Sequence, residues 1–352
     1  MRNNELCSIW LAFLGAFIVP TLVHAQVLPT NTYYLAITNL TGTTLKSALH
    51  DIIKGHTVIP YSSPSFDTHD ALNVLDQDPT NSNNVILIYS GYSVPKSNWD
   101  NGGPSAWNRE HMYPESFGTS SGNQNSDLFN LRACDSGVNS SRNNKYYDVT
   151  TGTPNHNVDA PNSTYDADSW EPEDTDKGFV ARACFYISTR YDQTDAGGEL
   201  DLQLADSINQ SGHIFAKLTT LLDWNRRFPP TDWERTRNSA ICLNYQHNRN
   251  PFIDNPDFAD MEFLGVDGFT AWQGMHFTAA EVTNVTISAT TADPDHDGVP
   301  NLVEYALGHD PHVSEPTIQS LDMQTAGGTN FLYVTHHRNH YLSGVTLTYQ
   351  TS

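Results

Sequence analysis

Residues 107–147 read WNREHMYPESFGTSSGNQNSDLFNLRACDSGVNSSRNNKYY. They set a carboxylate beside an imidazole, Glu110 and His111, and then place Asn139, Arg142 and Lys145 at steps of three. A neutral imidazole takes a proton from water near pH 7. Carboxylate and amide oxygens are hard ligands suited to Mg²⁺ or Mn²⁺, and arginine or lysine on the same face holds phosphate. Together these are the parts of a metal-assisted phosphodiester hydrolysis. A Glu–His pair also occurs as ordinary structure, so the residue types alone leave that reading open.

The elements must then bring these groups together. Neighbours in an ideal strand point to opposite faces, so Glu110 and His111 serve one site only if the strand ends or kinks there, which Pro114 favours. DLFNLRA, from Asp127, predicts a second strand, followed by a turn and the helix of Asn139 and Arg142. Upstream, 40–56 predicts a helix with Leu45, Leu49, Ile52 and Ile53 on one face and Thr43 or Thr44 as N-cap, 67–76 a second helix, and VILIYSG a buried strand. Downstream, 158–176 reads as an acidic loop, and 177–191 as an amphipathic helix with Val180, Ala183, Cys184, Ile187 and Tyr191 on one face. Helices are expected over 212–224 and 233–248, and 248–256 as a turn that buries Phe252 and Ile253.

WNREHMYPESFG followed by DLFNLRACDSGVNSSRNNKYY resembles the signature of the bacterial endonuclease I family, a branch of the ββα-metal (His-Me finger) nucleases. VLDQDPTNSNNVILIYSG upstream, and KGFVARACFYISTRYD and LLDWNRRFPPTDWERTRNSAICLNYQHNRNPFIDNPDF downstream, extend the resemblance over about residues 35–262. The resemblance implies His111 as general base, Glu110 and Asn139 as protein ligands of a single Mg²⁺, and a main-chain carbonyl near Asn125 that orients the imidazole. It makes Arg142 a catalytic phosphate-contact candidate and implies 5′-phosphate products with little sequence preference. Departures fall at Phe129, Tyr113 and Ala133, where the family usually has His, Trp and Pro; none is an inferred ligand. Residues 112–126 lack the arginine some relatives carry there, so Arg109, Arg132, Arg142 and Arg249 compete for the transition-state role; Arg109, Arg132, Lys145 and Arg249 are taken as substrate-binding candidates.

The 352-residue chain carries 18 Lys+Arg against 40 Asp+Glu, a net charge of −22. That excludes a protein coating nucleic acid through a general basic surface and requires a local basic groove; the arginines of 224–250, with Arg142 and Lys145, suggest one. Their alternative is ion pairing with Asp232 and Glu234. Residues 7–23 are uncharged and lead to Val23-His24-Ala25, the pattern of an export signal cleaved after Ala25; a membrane anchor is the alternative. Cys134, Cys184 and Cys242 remain, either as one bridge and one thiol or as three buried thiols.

DPDHDGVPNLVE repeats the spacing of a twelve-residue calcium loop, with Asp293, Asp295 and Asp297 at positions 1, 3 and 5, Gly298 at 6, the Val299 carbonyl at 7 and Glu304 at 12. It resembles the DxDxDG linkers of secreted bacterial proteins more than a paired EF-hand. FLYVTHH and GVTLTYQTS alternate like strands.

The expectation is therefore an α+β protein: a signal over 1–25, a mixed helical domain around a ββα-metal core over 26–280, a calcium-binding linker over 285–312 and a β-rich segment over 313–352. It is expected to be a secreted, monomeric endonuclease without stable membrane association, with the periplasm as alternative location. Its expected substrate is DNA, with RNA as alternative, and its ions are Mg²⁺ (or Mn²⁺) and Ca²⁺. Competing readings are a non-catalytic DNA- or matrix-binding protein and an RNA-preferring phosphodiesterase.

Overall fold

A computed structural model describes residues 33–34, 37–100, 102–103, 105–195, 199–316, 320–326, 329–335, 339 and 345. The expected signal lies outside the described residues, as does the GVTLTYQTS stretch apart from Val345. The fold is α+β and divides into two units, one containing Lys46–Ala259 and the other Tyr34–Leu45 with Asp260–Ser352. Among the described residues no helix is long and apolar enough to cross a membrane.

Helix α1 (Gly42–Ile53) begins ahead of both expected caps, so Thr43 and Thr44 lie inside it; Thr44 donates its hydroxyl to the Thr41 carbonyl at 2.7 Å. Helix α2 (Thr68–Leu75) starts at Asp67, which closes a capping box with Asp70. Strands β1 (Gln77–Asp78), β2 (Asn81–Ile86) and β3 (Ser93–Pro95) form a small antiparallel sheet. The expected VILIYSG strand thus ends at Ile86 and starts earlier. Ile88 crosses to the next sheet, donating its N–H to Ala133 O at 2.9 Å.

The centre of this unit is the antiparallel pair β4 (Trp107–His111) and β5 (Leu131–Asp135), with Glu110 opposite Arg132 and His111 opposite Leu131. Trp107, Leu131 and Ala133 join Leu72, Val85 and Leu87 in one apolar cluster, so burying these side chains fixes the pair. Asp127–Asn130, expected as strand, are a turn. The Asn130 side chain exchanges hydrogen bonds with the Tyr113 main chain, 2.7 and 3.0 Å, which occupies the backbone groups a longer ladder would use. Helix α3 (Ser136–Arg142) follows β5 directly, because the Asp135 carboxylate accepts from Gly137 N and Val138 N at 2.8 and 3.1 Å and caps it.

The expected acidic loop 158–176 holds two strands and the start of a helix: β8 (Ala160–Tyr165) and β9 (Ser169–Glu171) pair with each other and join β6 (Tyr146–Tyr147) and β7 (Asn155–Asn157) in the order β6-β9-β8-β7. Helix α4 (Asp174–Arg190) is buried all round from Lys177 onward rather than amphipathic. Its cations are neutralised inside, as where Arg182 Nε meets Glu234 Oε1 at 2.6 Å. Gly178 is required there: a Cβ would stand 2.0 Å from Phe228 O. The two-residue strands β10 (Gln203–Leu204) and β11 (Ile214–Phe215) lead to α5 (Leu218–Arg227), α6 (Asp232–Asn244) and α7 (Pro251–Asp254), in which Phe252 and Ile253 are buried. Cys134, Cys184 and Cys242 are three buried free thiols.

In the second unit, α8 (Phe258–Phe263), which starts at the boundary, α9 (Gly268–His276), α10 (Ala279–Val282), α11 (Val285–Ser288) and α12 (Asn301–Leu307) precede the hairpin of β12 (Ser320–Ala326) and β13 (Thr329–Thr335). Trp272, Phe277 and Tyr305 form its buried cluster. The described partner of the FLYVT strand is therefore Ser320–Ala326, a stretch not singled out in the sequence.

Candidate active site

The strand β4 ends at His111, and Glu110, His111, Asn139, Arg142 and Arg109 all line one cavity of about 410 Å³. The His111 imidazole is 6% exposed. Its Nε2–H donates to the Asn125 carbonyl at 2.8 Å, as the family resemblance implies; that contact fixes the tautomer and leaves Nδ1 as the basic nitrogen. Nδ1 lies 3.7 Å from Glu115 Oε1, and the ring stacks on Tyr61 with centroids 5.6 Å apart. Burial lowers the imidazole pKa from its ordinary value, with the Asn125 carbonyl and Glu115 pulling the other way.

Glu110 is 1% exposed, and burial raises its pKa, opposed by the Arg142 guanidinium and the Tyr89 hydroxyl. Its Oε1 accepts from Tyr89 OH at 2.7 Å and lies 3.4 Å from Arg142 Nη1. The Tyr89 hydroxyl is itself 2.6 Å from Tyr147 OH. On α3, the Asn139 amide nitrogen donates to Asn108 Oδ1 and Arg109 O at 2.8 and 3.0 Å. Both amide hydrogens are thereby committed and Oδ1 is the atom left for a ligand. A carboxylate held by one oxygen and an amide oriented through its nitrogen make a hard, oxygen-only pair that fits Mg²⁺ or Mn²⁺.

The other expected residues separate. Arg142 is 1% exposed; Nη1 donates to His111 O and Asn143 O at 3.1 Å each and Nη2 to Met112 O at 2.7 Å. This guanidinium thus holds the strand end and Glu110 while lining the cavity. Arg132 is buried with Nε 3.1 Å from Asp76 Oδ1 and its guanidinium over Trp233 and Phe179. Arg249 is buried, with Nη2 2.7 Å from Asp254 Oδ1. Lys145 donates to Ser141 O at 3.2 Å and does not line the cavity. Arg237 is also buried, with Nε 2.9 Å from Asp76, so two of the five arginines of 224–250, Arg237 and Arg249, serve the interior. Of the two expected acidic partners, Glu234 pairs with Arg182 of α4.

Tyr61, Tyr89, Asn108, Tyr147 and Asp76 were not singled out in the sequence. Each acts across a long loop: Asp76, for example, accepts from Ala133 N at 2.8 Å and anchors both Arg132 and Arg237. The only local signal was the run of tyrosines in apolar stretches, since a buried tyrosine hydroxyl needs a partner.

Two antiparallel strands feeding a helix, with a carbonyl-oriented histidine, a buried glutamate and an oriented asparagine on one cavity, define a ββα nuclease. Residues 41–257 match the Endonuclease I family. The chain is 46% identical over 235 residues to the extracellular ribonuclease of Bacillus subtilis (strain 168), across 66% of this chain and 78% of that protein. It is 44% identical over 253 residues to the extracellular ribonuclease of Bacillus amyloliquefaciens, across 70% and 84% respectively. The chain belongs to the Endonuclease I family and is a nuclease that hydrolyses phosphodiester bonds.

Proposed function

We propose that the protein is an exported, metal-dependent endonuclease that cleaves RNA as well as DNA with little sequence preference, using His111 as general base and Glu110 with Asn139 as ligands of one Mg²⁺, replaceable by Mn²⁺. The observation that carries this is the convergence of a histidine with a bare Nδ1, a buried carboxylate and an amide oxygen on one cavity. RNA and export are supported by the relatives named extracellular ribonucleases.

Nδ1 of His111 takes a proton from a water that attacks phosphorus, the P–O bond to the attacking oxygen forms, and the bond to the leaving 3′ oxygen breaks. The Asn125 carbonyl stabilises the imidazolium that results. The bound divalent ion supplies charge neutralisation at the phosphate and the leaving oxygen. Specificity for sequence is low because the cavity groups address phosphate and sugar rather than base edges.

The loop at 293–304 is proposed to hold Ca²⁺ on Asp293, Asp295, Asp297, the Val299 carbonyl and Glu304. Carboxylate oxygens of the three aspartates lie within 4.8 Å of one another. Glu304 is 0% exposed, and neither carboxylate oxygen has a hydrogen-bond partner. Burial and the three aspartates push its pKa up to about 8, and a cation held among these carboxylates would offset that repulsion.

The test is parallel digestion of plasmid DNA and RNA by wild type and His111→Ala, with Mg²⁺ or EDTA. Loss of cleavage of about 10²–10⁴-fold on removing the base, and loss in EDTA, are expected. Wild-type cleavage by His111→Ala, or cleavage indifferent to EDTA, overturns the reading.

A further inference from the structure

Four arginines competed for the phosphate, and three are committed elsewhere: Arg132 beside Asp76, Arg249 with Asp254, and Arg142 with Glu110 and three main-chain carbonyls. Arg109 differs in its partners, none of which is a carboxylate among the described residues. It lies on β4 two residues before His111 and lines the same cavity. Its guanidinium carbon stands 3.6 Å from the Tyr61 ring centroid and 5.0 Å from that of Trp99, so aromatic faces flank it. From Nη1 it donates to Tyr61 O and, at 2.9 Å, to Thr68 Oγ1, both neutral oxygens, and its charge also acts on the Tyr61 hydroxyl.

A guanidinium carries five N–H donors in a fixed fork. With Nη1 committed, the Nε–H and the two Nη2 hydrogens form one unshared edge, the geometry that grips two oxygens of a phosphate. Among the described residues no carboxylate pairs with this guanidinium, and the aromatic faces hold its plane without using a donor. Tyr61 does two things at once: the imidazole of His111 stacks on it at 5.6 Å, and Arg109 rests on it at 3.6 Å. One ring therefore fixes both the general base and the nearest uncommitted cation.

We infer that Arg109 contacts the scissile phosphate in the transition state and that Tyr61 is the positioning residue for both Arg109 and His111. This rests on the nuclease reading of the cavity and extends it to a residue pair. The charge that develops on the phosphate during in-line attack meets a pre-oriented cation, while Arg142 stays behind Glu110.

The experiment compares Arg109→Gln, Arg109→Lys, Arg109→Ala, Tyr61→Phe, Tyr61→Leu and His111→Ala in the full chain. It measures kcat on RNA and plasmid DNA, Mn²⁺ binding by electron paramagnetic resonance, and thermal unfolding. Arg109→Gln should lower kcat by about 10²–10³-fold, the usual loss for one pre-organised donor at developing charge, while binding Mn²⁺ like wild type. Arg109→Lys should recover only a small part, since an ammonium lacks the fork. Added guanidinium should raise the kcat of Arg109→Ala and leave His111→Ala unchanged. Tyr61→Phe should keep wild-type kcat because the ring remains, and Tyr61→Leu should lose it. A kcat for Arg109→Gln within threefold of wild type, or no guanidinium rescue of an Arg109→Ala that folds and binds Mn²⁺, overturns the inference. If Arg109→Ala does not fold, wild-type kcat in Arg109→Lys overturns it instead. Failure of the underlying reading is separate and shows as an active His111→Ala.

Discussion

Replacing Arg142 with methionine separates the two roles an arginine could play here. The side chain is 1% exposed and its partner Glu110 is equally sequestered, 3.4 Å away. Methionine fills similar space but leaves a buried carboxylate without its cation and three carbonyls, of His111, Met112 and Asn143, without a donor. Breaking a buried pair from one side costs about 3–5 kcal/mol. At about 2–4 °C of Tm per kcal/mol for a unit of this size, the fall should be about 6–20 °C. The pH dependence has a definite sign. Burial already raises the Glu110 pKa and Arg142 opposes that, so without Arg142 the folded-state value rises further above the unfolded one. Such a group contributes stability that is present below the unfolded pKa and lost as pH rises through the folded pKa. The gap between wild type and Arg142→Met should therefore be small near pH 4 and full near pH 8. Circular dichroism melts in EDTA remove any metal contribution. The double variant Glu110→Gln/Arg142→Met should melt above Arg142→Met at pH 8, because it no longer buries an unpaired charge. An unchanged Tm with kcat reduced a hundredfold would refute this and return Arg142 to the phosphate.

Other expectations are equally direct. Burial lowers the His111 pKa, so the neutral base persists to lower pH, and the acid limb of kcat/KM should fall below the ordinary histidine value of about 6.5; a limb above 7 contradicts it. Asp135→Ala removes the cap that starts α3 and should cost about 0.5–2 kcal/mol in urea unfolding, with weaker Mg²⁺ dependence because Asn139 rides on that helix; unchanged stability would show that the cap is immaterial. Glu304→Gln should abolish Ca²⁺-dependent protection of residues 293–307 from protease while leaving nucleic-acid turnover at the wild-type rate; a loss of turnover comparable to that of Glu110→Ala would show that the two sites are coupled.

The site groups that share an element or a strand junction were legible in the sequence. Glu110 and His111 are neighbours, and Asn139 and Arg142 are one helical turn apart, so their spacing survives whatever the surrounding fold does. The calcium-loop pattern is local for the same reason: its turn is made by short Asx contacts, such as Asp297 N to Asp295 Oδ1 at 3.1 Å and Val299 N to Asp297 Oδ1 at 2.7 Å. Where the sequence misled, the competing force was tertiary. The 158–176 stretch is rich in carboxylates and looked like a solvated loop. It holds two strands because Trp170 is fully buried, stacked with Tyr165 and tilted against Tyr89, and that outweighs the polarity of its neighbours. Helix α4 looked amphipathic from its apolar face alone, yet Arg182 is neutralised inside by Glu234, 52 residues on, and Arg190 by Asp195 and Glu199 just past the helix end.

The four candidate arginines show the same division. Sequence determined that there were four, near the right segments, in a chain too acidic for a general basic surface. It could not rank them, because an arginine's role is set by what neutralises it. Asp76 and Asp254 claim Arg132 and Arg249, Glu110 claims Arg142, and Arg109 meets only aromatic faces and neutral oxygens. Local spacing determined the chemistry this chain carries. Long-range pairing decided which of these charges are neutralised inside the fold and which face the cavity beside neutral groups, because a buried ion must find its counter-ion wherever the chain brings one.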